Sequence, residues 1–245
     1  FPRPLGVPLE RAHRPKGPRA LASTALNARR MGRVFVKLYD AAWAPSPRRV
    51  RIYLAEKGIE VDRVPVDLRC DEHLGEAFLR INPRGVVPAL ELDSGEVLCE
   101  SSAICRYFEA LQPAPSLFGE SALDIARIES WTRRIEQEGY AAAVYVLRNQ
   151  REAFRDRGVA GKWPAIPQIP ELAERGGILW AAFTATLDAH LAGRAWIATD
   201  GYSFADISAL VTIDFAKAAR LTVPEGFVHL HRWHAAASAR SSAAA

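Results

Sequence analysis

The chain is poor in the residues that would commit it to several kinds of chemistry. Its 245 residues include one methionine and three cysteines, Cys70, Cys99 and Cys105. The cysteines are odd in number and show no C-x-x-C spacing, which excludes a disulfide scaffold and a paired-thiol redox motif and fits a reducing, cytoplasmic setting. Six histidines occur without an H-x-x-x-H pair, so no metal site is expected. No apolar run approaches the roughly 18 residues needed to span a bilayer, which speaks against an integral membrane protein. The body also lacks excess positive charge. The net charge is +4, but Phe1–Arg30 holds seven Lys/Arg and one acid, leaving 25 bases and 27 acids for the rest. Nucleic-acid binding by the body is therefore not implied.

What is present is a chain with 49% apolar residues, enough to bury a full core in one or two domains. Residues 1–31 are rich in Pro, Arg and Gly and without sustained periodicity, and are expected to be a disordered extension. Met31, the only methionine, marks the expected start of the functional chain. From there Val34–Tyr39 reads as a strand, followed by a Pro-broken loop with Trp43, Ala44, Pro45 and Ser46. A helix carrying Val50, Ile52, Tyr53 and Leu54 then stops at Lys57-Gly58. Ile59–Val66 is a second strand, expected to lie parallel to the first across that helix.

The most informative stretch is Asn82–Tyr107. Apolar residues from Val86 to Leu92 are interrupted by Pro88, and Asp93-Ser94-Gly95 forms a turn cluster before Val97–Cys99, the pattern of a hairpin. A proline there cannot donate to a ladder, so Pro88 must sit at a strand start, an edge or a bend. A cis Val87-Pro88 bond would leave the Val87 amide and carbonyl free for an extended ligand. Glu100-Ser101-Ser102 then opens a helix with Ala103, Ile104, Tyr107, Phe108 and Leu111 at helical spacing. Its N-terminus suits a carboxylate. Strand, helix, strand, short helix at Glu76–Arg80, hairpin and helix together give a thioredoxin-like α/β domain over residues 32–112.

After a Pro- and Gly-containing linker, residues 121–236 read as an all-helical domain. Ile125, Ile128, Trp131, Ile135, Tyr140, Val144, Tyr145 and Leu147 fall at helical spacing, as do Leu179, Trp180, Phe183, Leu187 and Leu191. Gly158–Pro170 is a loop between the two helical stretches. Ser203-Phe204-Ala205-Asp206 is a capping box, for which Asp206→Ala is expected to cost about 1 kcal/mol. Residues 237–245 are low in complexity and are expected to be a disordered tail.

These features resemble the soluble glutathione transferases, of a bacterial theta- or phi-like kind. The resemblance is carried by Leu54-Ala55-Glu56-Lys57-Gly58, Asn82-Pro83, Val87-Pro88-Ala89-Leu90, Glu100-Ser101 with Ala103-Ile104, and Ser203-Phe204-Ala205-Asp206. It spans roughly residues 32–235. It implies a homodimer that uses glutathione as co-substrate and conjugates its thiolate to small hydrophobic electrophiles in detoxification. By this resemblance Val87 and Pro88 present backbone to the cysteinyl unit, Glu100 and Ser101 hold the γ-glutamyl end, and His73 contacts the glycyl carboxylate or is a solvated loop residue. Arg84 assists electrostatically or is an exposed turn residue. Trp43, Trp131 and Tyr140 are candidates for the electrophile pocket, with Arg134 and Tyr145, or belong to the core.

A free thiol titrates near about 8.5, and one hydroxyl donating to the thiolate lowers that by about one to two units. The place where serine-type relatives carry the hydroxyl is occupied by Ala44, a departure. Ser46 is the nearest hydroxyl, either the thiol activator or a helix cap. The alternative from another class is a transferase-like binding module with little catalysis.

Overall fold

A computed structural model describes residues 36–245; the expected N-terminal extension lies outside them. Strand β1, Lys37–Asp40, leads through a tight turn into helix α1, Pro45–Lys57, and then strand β2, Asp62–Pro65. Pro45 opens α1 at its first position, where a missing amide costs nothing. Gly58 ends the helix with φ 63°, and its amide reaches the carbonyls of Leu54 and Ala55. The strands β1 and β2 are parallel, with Lys37 opposite Asp62 and Tyr39 opposite Val64.

A short helix α2, Glu76–Leu79, precedes the hairpin β3, Ala89–Glu91, and β4, Val97–Cys99. Strand β3 runs antiparallel to both β1 and β4, giving the sheet order β2-β1-β3-β4. Helix α3, Ser101–Leu111, packs with α1. Leu38, Leu90, Ile52, Tyr53, Ile104 and Phe108 are buried in one cluster between sheet and helices. Tyr39, Val66, Phe78 and Ala89 form a second, smaller cluster. The strands are shorter than their apolar runs suggest because the flanking residues belong to turns and to the cis Val87-Pro88 bend.

Glu109 on α3 organises the linker, which contains a second cis bond at Ala114-Pro115. Its carboxylate accepts from Tyr53 (2.6 Å) and Lys57 (2.8 Å) on one side. On the other it accepts from the Ser116 hydroxyl (3.1 Å) and the Leu117 amide (3.0 Å). Beyond the linker lie α4, Ala122–Arg134, a π-helical turn, Ile135–Tyr140, and α5, Ala141–Gln150, in direct succession. Helices α6, Pro170–His190, α7, Phe204–Ala216, and α8, Val228–Ser238, complete this part. Helix α7 is buried on nearly every face, as a central helix must be.

The capping box at α7 is present, and Asp206 does more than cap. Its two oxygens accept from the amides of Ile197 and Ser203 (both 3.0 Å), the Ser203 hydroxyl (2.9 Å) and Trp233 Nε1 (2.8 Å). The expected cost of about 1 kcal/mol for its removal is therefore too small.

The expected disordered tail is corrected by the structure. Helix α8 runs to Ser238, and Ser241–Ala244 forms a 3-10 turn. Arg240 makes a two-pronged pair with Glu56 at 2.7 Å, Ser242 bonds the same carboxylate, and the Ala243 carbonyl accepts from Arg48 (3.1 Å). Local composition was misleading here because the anchors lie on α1, about 190 residues away in sequence. No helix among the described residues is long and apolar enough to cross a membrane.

Candidate functional site

Three backbone features converge where the sheet meets the mouths of α1 and α3. The first is the cis Val87-Pro88 bond, which ends the chain's approach to β3. Val87 precedes the strand, and among the described residues its amide and carbonyl make no backbone hydrogen bond. The second is Glu100, which adopts φ 69°, ψ 118° at the N-terminus of α3. A non-glycine residue pays about 1–3 kcal/mol for such a conformation, the kind of strain that marks functional sites. Its carboxylate is exposed and paired with Arg84 at 2.5 Å.

The third is the mouth of α1. Pro45 and Pro47 have no amide proton, the Ala44 amide bonds the Ala41 carbonyl (2.9 Å), and the Arg48 amide bonds the Ala44 carbonyl (3.2 Å). Among the described residues, the first turn at the positive end of this helix thus offers the Ser46 amide without a backbone partner, with the Ser46 hydroxyl on the same residue. Ser46 is the second helical residue, so the cap reading is corrected: the N-cap is Ala44, which has no side-chain hydrogen bond to give. The Ser46 hydroxyl lies 3.5 Å from that of Tyr140 in the π-helical turn.

Between the two helix mouths sits Arg49, only 4% exposed. It donates to Glu136 at 2.6 Å and to the Ser101 hydroxyl at 3.3 Å. A guanidinium can only donate. Ser101 must therefore accept from Arg49, which leaves its own proton free to be given to an anion. The arrangement makes Ser101 a hydrogen-bond donor suited to a carboxylate, with Glu136 balancing the buried cation. Arg49 also stands 6.0 Å from the Tyr140 ring centroid.

Of the residues expected from sequence, Val87, Pro88, Glu100, Ser101, Ser46 and Tyr140 lie on these converging elements. Tyr140 packs on Phe215 at 5.3 Å. Trp43 lies in the β1–α1 turn and is 59% exposed. Trp131 is not on the Tyr140 side. It stacks on His190 at 4.1 Å and under Arg134 at 4.6 Å, lining a separate cleft of about 200 Å³ with Arg127 and Arg194. The π-helical turn Ile135–Tyr140 lies between it and Tyr140, and the two rings meet different neighbours, His190 and Phe215. Tyr145 meets Gly176 at the α5–α6 contact. His73 is 8% exposed and among the described residues its Nδ1 has no partner, so it is not a solvated loop residue. The larger cleft of about 450 Å³ is lined by Arg106, Glu109 and the linker residues Pro113 and Phe118.

Tyr39 turns its hydroxyl to Glu91 (2.7 Å), and burial with that bond pushes its pKa up to about 12. Burial raises the Cys99 and Cys105 thiols, and the hydrogen bond to Asp67 raises Cys70. None is poised as a thiolate. Sequence reasoning missed Arg49 and Glu136. The only signal was an arginine on the face of α1 otherwise occupied by Val50 and Tyr53.

A thioredoxin-like domain with a cis-proline bend beside two helix mouths, joined to a helical domain that reaches them through Glu136 and Tyr140, defines the class. The N-terminal domain model of glutathione S-transferases matches residues 43–111 and the C-terminal one residues 181–241. Glutathione S-transferase 2 of Saccharomyces cerevisiae is 32% identical over 203 residues, 80% of this chain and 83% of the relative. The crystal structure of Gtt2 from Saccharomyces cerevisiae superposes with TM-score 0.76 at 31% identity, covering 84% of this chain and 97% of that one. A glutathione S-transferase domain-containing protein of Marinobacter aquaeolei gives 0.75 at 34%, covering 84% and 98%. The chain belongs to the glutathione S-transferase family and is a transferase.

Proposed function

We propose that this protein transfers the thiolate of glutathione to small apolar electrophiles. The γ-glutamyl carboxylate sits at Ser101, the cysteinyl unit pairs with the Val87 main chain, and the sulfur lies at the mouth of α1. The observation that carries the reading is that, among the described residues, Ser46 is the one residue of the first turn of α1 with an amide free of a backbone partner, and its hydroxyl stands beside that of Tyr140. The hydroxyl of Ser46 lowers the thiol pKa, and Tyr140 with Phe215 walls the electrophile side.

Ala44 supports a second reading, a glutathione-binding module with little turnover, because its buried methyl replaces the hydroxyl expected there. A conjugation assay with an activated aryl chloride separates the two. In the catalytic reading Ser46→Ala lowers kcat about 10- to 100-fold, the loss of one charge-assisted bond, and moves the acid limb of the pH profile, set by thiol ionisation, up by about one to two units. An unchanged rate in Ser46→Ala refutes the role of Ser46. Retention on immobilised glutathione with no turnover in the parent favours the binding module.

The same reading makes the protein a cytoplasmic, homodimeric detoxification enzyme. Its three free cysteines suit a reducing compartment, and the exposed Leu123 and Ile125 of α4 offer apolar surface to a second copy.

A further inference from the structure

Two consecutive arginines follow Pro47 and leave α1 in different directions, since neighbouring helical residues stand about 100° apart. Arg49 turns to Glu136 and Ser101. Arg48 turns to α7 and the 3-10 turn Ser241–Ala244. Its Nη1 donates to Asp214 Oδ2 at 2.8 Å and its Nη2 to the Ala243 carbonyl at 3.1 Å. The start of α1 is thus gripped from two sides, by the π-helical turn through Arg49 and by α7 through Arg48.

Asp214 is more heavily engaged than a pair between two helices requires. Its Oδ1 also accepts from Lys217 at 3.0 Å and lies 3.0 Å from His234 Nε2. Burial acts to raise its pKa, but the hydrogen bonds from His234, Arg48 and Lys217 outweigh it and hold the carboxyl well below the usual range. The next residue, Phe215, packs on the Tyr140 ring at 5.3 Å, and the Tyr140 hydroxyl stands 3.5 Å from that of Ser46. These contacts close a circuit that runs from Ser46 along α1 to Arg48, across to Asp214 and Phe215, and through Tyr140 back to Ser46. Neither α1 nor the π-helical turn can shift against α7 without breaking the ion pair or the ring contact, so the circuit fixes where the Ser46 hydroxyl stands.

We propose that Arg48 and Asp214 are positioning residues for thiol activation. With the Ala243 carbonyl they hold the start of α1 so that the Ser46 hydroxyl is aimed at the glutathione sulfur, and they act through Ser46, not on the sulfur. The inference rests on the Ser46 reading above. It adds that the turn Ser241–Ala244, anchored on α1 through Arg240 and Glu56, belongs to the support of the catalytic hydroxyl.

A double-mutant cycle in the conjugation assay tests this on the full chain, with glutathione and an activated aryl chloride, each variant assayed well below its Tm. Arg48→Met should lower kcat about five- to tenfold, less than Ser46→Ala does, and leave the KM for glutathione within about twofold. It should also move the acid limb of the pH profile up by about 0.5–1 unit. In the Ser46→Ala background the same substitution should change kcat by less than about twofold, because the group it positions is gone. Arg48→Lys, which keeps a cation for Asp214, should restore most of the rate. Asp214→Asn should behave as Arg48→Met does, and it carries the same cycle if Arg48→Met does not fold. An equal fold-loss in both backgrounds, or an unmoved acid limb, assigns the pair to stability alone and overturns the inference while the Ser46 reading stands. A parent without turnover, or one insensitive to Ser46→Ala, refutes that reading and the inference with it.

Discussion

Replacing Asp206 by alanine is expected to destabilise the fold by about 3–5 kcal/mol, well beyond the loss of an ordinary helix cap. The carboxylate is fully buried and accepts four hydrogen bonds, from Ile197, Trp233 and twice from Ser203. Alanine leaves the Ile197 and Ser203 amides and the Trp233 indole N–H buried without an acceptor, at about 1–3 kcal/mol each. The hydroxyl of Ser203 can turn elsewhere. Against this stands the relief of no longer burying a charge: burial pushes the Asp206 carboxyl up despite its donors, so part of the penalty is returned. For a folded body of this size each kcal/mol moves Tm by about 2–4 °C, which gives a fall of roughly 6–20 °C by calorimetry or circular dichroism. Asp206→Asn, which keeps one acceptor oxygen, should lie about midway. The Asp206 network contains none of the groups at the mouth of α1, so kcat/KM measured well below the transition should stay within about twofold. A Tm change of under 3 °C in the alanine variant would refute the reasoning that this network links the connector at Ile197, α7 and α8.

Gly139 in the π-helical turn faces Phe183, and a Cβ there would stand 2.5 Å from Cε1 of that ring. Gly139→Ala should cost about 1–3 kcal/mol through overpacking, read by urea denaturation, and should shift the adjacent Tyr140; an unchanged midpoint would show that Phe183 yields without cost. Acid should unfold the protein through three carboxylates. For Glu56, Glu109 and Asp214 burial acts to raise the pKa, but hydrogen bonds from Arg240 and Ser242, from Lys57 and Tyr53, and from His234, Arg48 and Lys217 respectively outweigh it and hold each below its usual value. Their stabilisation is present above the unfolded values near about 4 and is lost as pH falls through the lower folded values. Tm should therefore be nearly flat from neutral pH to about 5 and drop below about 4, with Glu109→Gln showing a shallower drop; a Tm constant down to pH 3 would contradict this.

Much of the architecture could be read from local pattern. The glycine stop at Gly58, the Asp93-Ser94-Gly95 turn and the capping box at Ser203 each act within a few residues, so sequence spacing alone locates them. Pro88, in an apolar run, had to stand at a strand start, an edge or a bend, and it lies in a cis bend immediately before β3. What escaped was long-range pairing. Arg49 and Glu136 are 87 residues apart, and neither residue type in isolation distinguishes a buried bridge from a solvated charge. Trp131 and Tyr140 share a helical stretch, yet only the geometry shows that they meet different neighbours. The tail looked frayed because its alanines and serines carry no local signal, while its stability comes from Glu56 and Arg48 on α1.

The most direct measurement is the position of the sulfur in a structure determined with glutathione bound. The account predicts the cysteinyl main chain paired with the amide and carbonyl of Val87 and the sulfur within hydrogen-bond distance of the Ser46 hydroxyl. A tripeptide held elsewhere, or a sulfur whose nearest donor is any group other than Ser46, would contradict it.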